Sequence, residues 1–253
     1  MHRSASRLTR VLACAAVPVI LTVAGCSSDS GKGSGSGDDK KKSGSSASAS
    51  SAPGGGAKAS AEPKLEKAAF DKLPEPCKVV QAKTIETLVP EVKDKNGTAT
   101  KSNDLASRGG CSWNGLDEDG LQGSNYRWLA VSLVRYDSQA ALGSGNQRAG
   151  EQYTKQVEAA KASQGAENVK AEEAGGVGDQ ATSIIYTTKK DGVDFFNTTV
   201  VARTQNVVIA LDYNGASYEG AKAPDHAKLL ESAINAAKEA VGTIGSANQQ
   251  PQQ

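Results

Sequence analysis

Aromatic residues make up only 4% of this 253-residue chain, methionine occurs once and histidine twice. Residues 63–245 contain no G-x-S-x-G, S-x-x-K or H-E-x-x-H, so the familiar hydrolase and peptidase constellations find no residues to use. Cys-x-x-Cys is missing as well, which removes the commonest redox pair. Past the N-terminal leader the sole histidine is His226, and beside Asp225 at a predicted helix start it reads as a solvated N-terminal residue rather than a general base. Asp117, Glu118 and Asp119 crowd a glycine-containing loop, but the D-x-D-x-D-G calcium spacing fails at Leu121, and Trp128 stands where a closing Glu is needed. A solvated hairpin tip is the better reading. We therefore expect no enzyme, no metal and no cofactor.

An excess of one charge is also lacking. The chain carries 29 Lys+Arg against 28 Asp+Glu, and losing Arg3, Arg7 and Arg10 with the leader turns the net charge from +1 to about −2. Without a basic stripe interleaved with aromatics, nucleic acid is not an expected partner. Long apolar runs are absent too. The clearest, residues 11–21, is too short to span a bilayer stably.

That short run has meaning in its place. Three arginines without an acid precede it, which is the charged and apolar layout of a secretory leader over residues 1–25. Val23-Ala24-Gly25-Cys26 then reads as a lipobox, in which a small residue ahead of the thiol allows a diacylglyceryl thioether to form on Cys26 before cleavage. An ordinary leader cut after Ala24 or Gly25 is the alternative. The composition of the next segment favours the anchor: residues 27–62 contain no Val, Ile, Leu, Met or aromatic residue, and so cannot bury enough apolar surface to offset their ordering entropy. As a flexible coil this tether would span roughly 30 to 35 Å. Residues 246–253 read as a frayed tail. The expected location is the extracytoplasmic face of the cell membrane, attached through the lipid on Cys26.

Cys14 leaves with the leader and Cys26 takes lipid, so Cys77 and Cys111 remain as an even pair in an oxidising compartment, where a disulfide is expected. A metal site would need further ligands. Closing this loop contributes about 4 kcal/mol on the chain-entropy account.

The periodicities of residues 63–245 predict one α+β domain: an antiparallel sheet of about five strands with helices packed mainly on one face. Leu65, Ala68, Ala69 and Leu73 fit a first helix that Pro74 stops, and Val80, Thr84, Ile85 and Leu88 fit a second. Residues 91–108 read as a loop. Strands are expected at 110–114, 128–136, 182–187, 193–203 and 206–213, the last three forming a meander. Between them, Tyr153, Val157 and Ala160 share one face of a helix over 148–163. Leu230, Ile234, Ala237, Val241 and Ile244 recur at helical spacing behind Asp225 as N-cap, with Gly242 as terminator. Gly176-Val177-Gly178-Asp179-Gln180-Ala181 spells a dinucleotide fingerprint, but a strand follows it where a helix is required, so it reads as a turn.

The lipobox, the Ser/Gly tether, Pro76-Cys77 before a short helix, Cys111-Ser112-Trp113 and the glycine turn at 176–181 together resemble the uncharacterised lipoproteins of actinobacteria built around a Pro-Cys and Cys-x-Trp pair. The resemblance covers most of residues 74–245. It implies an exported, lipid-anchored chain with Cys77 bonded to Cys111, and no reaction. Two classes of function fit: a non-catalytic interaction or sensing module of the envelope, or a carrier of lipid or another small ligand. Their partners would be an envelope protein and an envelope ligand respectively. If the lipobox reading is right, Cys26→Ala abolishes labelling by a fatty-acid analogue and releases the protein or leaves it uncleaved. Membrane retention of a correctly cleaved Cys26→Ala chain would contradict the anchor.

Overall fold

The structure is a computed structural model that describes residues 65–118 and 120–249. The leader, Cys26 and the tether lie outside the described residues, as do Asp119 and the last four residues of the tail. The described residues belong to one compact unit. Their elements are β1 (Thr98–Ala99), β2 (Arg108–Glu118), β3 (Ser124–Arg135), β4 (Glu167–Glu173), β5 (Gln180–Lys190), β6 (Val193–Thr204), β7 (Val207–Tyr218), α1 (Ala82–Leu88), α2 (Gly145–Lys161) and α3 (His226–Gln249).

All seven strands form one antiparallel sheet in the order β1-β2-β3-β7-β6-β5-β4. The sheet thus has seven strands rather than about five. Neither addition could show as periodicity. Thr98–Ala99 is two residues long, and Glu167–Glu173 is exposed at every position, so it carries no alternation of buried and solvated side chains. Charge along β4 also suits an edge, because Glu and Lys discourage pairing with another chain.

The helices do not share a face, which corrects the expected layout. On one face Trp113, Leu129, Val200, Ile209 and Leu211 pack with α3 through Leu229, Ala233, Ala236, Ala237, Ala240 and Ile244. On the other, Ile184, Val201 and Val208 pack with Ala149 and Val157 of α2. Residues 200, 201 and 202 of β6 are all buried because the strand is covered on both sides. The α3 stripe is also rotated from the predicted one, towards four fully buried alanines whose short side chains let the helix sit close to the sheet. Asp225 caps α3 as expected, accepting from Ala227 N at 3.0 Å and Lys228 N at 3.3 Å. Gly242 does not end it. The helix runs to Gln249, carried past two glycines by the burial of Ile244 and by the Asn248 side chain, which accepts from Asp71 N at 3.1 Å. Residues 246–249 are therefore helical.

No helix forms over 65–73; that stretch is irregular up to the single turn Pro76–Lys78. Its backbone finds partners elsewhere in the fold. Phe70 N donates to Asn206 Oδ1 at 2.8 Å, and Asn206 Nδ2 donates to the carbonyls of Phe70 at 2.8 Å and Tyr136 at 2.9 Å. The α2 helix begins three residues earlier than predicted because Ser144 caps it, its hydroxyl accepting from Gln147 N at 3.2 Å. Residues 140–142 make a turn closed by Gln139 and Gly143.

Cys77 and Cys111 are disulfide-bonded, joining the Pro76–Lys78 turn to β2. Trp113, 1% exposed, lies two residues on. Gly97 closes over both: a Cβ there would lie 2.5 Å from Cys111 Sγ and 2.5 Å from Trp113 Nε1, and its φ of +75° suits glycine. Tyr213 adds a second tie, its phenol donating to Leu88 O at 2.6 Å and fixing the end of α1 against β7. Replacing both cysteines with Ser should lower stability by about 2 to 5 kcal/mol in denaturant unfolding. Hydrogen exchange in that variant should loosen residues 76–113 first and leave 193–213 protected. Uniform loss of protection would mean that the bond supports the whole core.

Candidate functional site

Three of the residues singled out in the sequence have structural roles. Cys77 and Cys111 are consumed by their bond. His226 is half-buried, with Nε2 3.0 Å from Asn197 O and its ring edge-on to Phe196 at 5.4 Å, which gives it a packing role at the start of α3. Among the described residues no group of His, Cys, Asp and Glu is placed to hold a metal ion. The 176–181 stretch is a turn, as its glycines predict: Gly178 has φ +62° and lies against Arg203 O, while Asp179 N donates to that carbonyl at 2.8 Å.

A large concavity among the described residues lies where no single stretch of sequence could announce it. The β2–β3 hairpin, the start of β6, the end of β7 and the 219–224 connection meet at one end of the sheet and leave an open cleft of about 770 Å³. Tyr126, Phe196 and Tyr218 supply its aromatic walls, and Lys93, Glu118, Asp194 and Glu219 its charges. Ser217 holds the connection in place, its hydroxyl bridging Asn125 Oδ1 at 2.8 Å and Lys222 O at 2.9 Å. Gly115 is required here, since a Cβ would lie 2.1 Å from Pro90 O and push the 90–92 segment off the strand. Leu121 stands fully exposed at the hairpin tip beside the cleft. Such a lining can hold a partly apolar segment carrying both signs of charge.

Beside the cleft, the second sheet face is only partly covered. Helix α2 packs over Ile184, Val201 and Val208, whereas Tyr126, Trp128, Ala130 and Ser132 of β3 point to the same side beyond it and are half-buried or exposed. In the middle of this face lies Asp212, opposite Ala130 on β3 and Thr199 on β6. Thr199 Oγ1 donates to Asp212 Oδ1 at 2.6 Å, and no cation pairs with the carboxylate among the described residues. Burial pushes its carboxyl above the ordinary range, opposed in part by the Thr199 hydrogen bond. Alternation along 206–213 sets Asp212 on the face opposite Leu211, but does not reveal that this face is half covered. An acid between Leu211 and Tyr213 in a central strand was the available signal.

No protein-family model and no curated protein matches the chain. Among solved structures it is similar to LpqN of Mycobacterium tuberculosis, described as involved in cell envelope biogenesis, with a TM-score of 0.26 and 16% identity over 56% of this chain and 82% of that one.

The Asp212 environment has a pH signature. The folded state holds the proton more tightly than the unfolded chain, so this group's contribution to stability falls as pH rises above the unfolded carboxylate value of about 3.9. Asp212→Asn should therefore gain stability relative to the parent as pH is raised from about 3 to 7 in urea-unfolding series. A difference between the two proteins that stays constant with pH would refute the burial.

Proposed function

We propose that the chain is an extracytoplasmic lipoprotein, anchored to the cell membrane through Cys26, whose folded domain is a non-catalytic interaction module of the cell envelope that receives a protein partner in the cleft at the end of the sheet. The observation that carries this reading is the placement of the cleft. Residues 66–70 meet the fold at the opposite end, where Ser138 Oγ donates to Glu66 O and Asn206 binds the Phe70 backbone. The twelve residues of β7 separate the two ends by roughly 40 Å. A domain held from its N-terminal side thus presents the cleft away from the point of attachment, where a tether of the predicted reach lets it meet a partner.

The carrier alternative has less support. A lipid held between helix and sheet needs an enclosed apolar volume of about 300 Å³ or more. The space between α3 and the sheet is instead filled by Trp113, Leu129, Leu211 and Ile244, each 1% exposed or less. The enzyme reading is weaker still, because His226 is engaged by the Asn197 carbonyl and Phe196.

Photocrosslinking residues placed at Tyr218 or Glu219 of the anchored protein, with Glu231 on the exposed side of α3 as control, test the proposal in cells. Discrete protein adducts from the two cleft positions, weak or missing from Glu231, are the expected result. Equal adducts from all three positions would sink the cleft, and co-purified lipid without protein would favour the carrier.

A further inference from the structure

Sheet register places an unusual set of side chains in one line. Asn114 of β2 lies opposite Trp128 of β3, Trp128 opposite Asn214 of β7, Asn214 opposite Asn197 of β6, and Asn197 opposite Tyr186 of β5. All five belong to the second sheet face, on the part that α2 leaves uncovered or only borders. Adjacent strands lie about 4.8 Å apart, so the row runs across the strands for about 19 Å. The next row holds Ser112, Ala130, Asp212 and Thr199, with small side chains on both sides of the carboxyl.

The polar groups in this row are largely unspent. Asn114 and Asn214 make no side-chain hydrogen bond among the described residues, and neither do the Trp128 indole and the Tyr186 phenol. Asn197 is buried and uses its Nδ2 on Thr188 Oγ1 and Phe195 O, each at 3.0 Å, so it closes the row on the side of Tyr186.

We propose that this row is a carbohydrate-binding platform for a neutral oligosaccharide lying across the strands, with Trp128 as the stacking ring and Asn114, Asn214 and Asp212 as the groups that bind its hydroxyls. Chemistry selects the occupant. Each amide offers donors and an acceptor, which a hydroxyl can satisfy together, and a carboxylate accepts strongly from a hydroxyl. The negative face of an indole receives the C–H face of a sugar ring without needing charge. An anion would meet Asp212, whereas a simple cation would leave the amide N–H groups without acceptors. A protein would need the apolar core that stable interfaces bury, and three of the five residues in this row are asparagines. This site meets the cleft proposed to receive a protein partner at Asn114, which lines both, but Trp128, Asn214 and Asp212 lie outside the cleft lining, so either reading can hold without the other.

The chain's own fluorescence reports the binding. It has two tryptophans, Trp113 sealed in the core and Trp128 half-exposed, so a ligand-induced change belongs to Trp128. The full exported chain, in a detergent without sugar headgroups, is titrated with hexasaccharides of β-1,4-linked N-acetylglucosamine, β-1,4-linked glucose and α-1,6-linked mannose. At least one should give a saturable shift. Calorimetry should show binding lost in Trp128→Ala and weakened about tenfold or more in Asn214→Ala and Asp212→Asn, with circular dichroism unchanged. Asn103→Ala, away from the row, should bind as the parent does. Three outcomes each overturn the proposal: no saturable response to any of the three sugars up to about 10 mM, binding that survives Trp128→Ala, or an equal response to spermidine. Cleft crosslinks that persist while the titrations fail would leave the partner-binding reading standing.

Discussion

Residues 198–202 of β6 are buried in succession, and much of the molecule depends on that one fact. A strand whose alternate side chains must all leave water needs cover on both faces. Helix α3 supplies one cover and α2 the other, so the two helices cannot lie side by side. The chain order obeys the same need. After β3 the chain must cross the second face as α2 and reach the far edge as β4 before returning through β5 and β6 to place β7 beside β3.

Cover of that kind is uneven, and the unevenness makes the surfaces of interest. Helix α3 is 24 residues long and its alanine stripe fills one side, together with α1 and the disulfide-linked turn. Helix α2 has 17 residues and buries only Gly145, Ala149 and Val157. The strands beyond its reach stay half-open, including the part of the row from Asn114 through Trp128 to Asn214. Asp212 is tolerated near the centre of a sheet because it lies on this side. An unpaired carboxylate on the α3 side would face alanines and leucines at a cost that only protonation could relieve.

Hydrophobic alternation exposed the 193–213 meander, the strand around Trp128 and the two main helices because each buries at least one regular stripe. Strands near the two sides of the sheet were illegible for the opposite reason. Glu167–Glu173 buries nothing, and β2 reads as a short segment because Gly109, Gly110, Asn114 and Gly115 break its pattern, although it pairs along its whole length. The false helix over 65–73 arose from correct spacing of apolar residues. The amides of Asn206 and Asn248, distant in sequence, gave its backbone a different set of partners. The cysteine pair was legible through residue identity alone. Neither the cleft nor the polar row was, since each draws single residues from several strands.

Those same two asparagines bear on how the molecule can work. Asn206 sits at the β6–β7 hairpin and Asn248 near the end of α3, and together they hold residues 70–72 against one end of the sheet. A load on the N-terminal side is thus met by hydrogen bonds to two separate elements, one of them fully buried at Asn206. The disulfide comes within a few residues and ties the same segment to β2. Force entering there meets a covalent cross-link before it reaches α1 or the cleft at the far end.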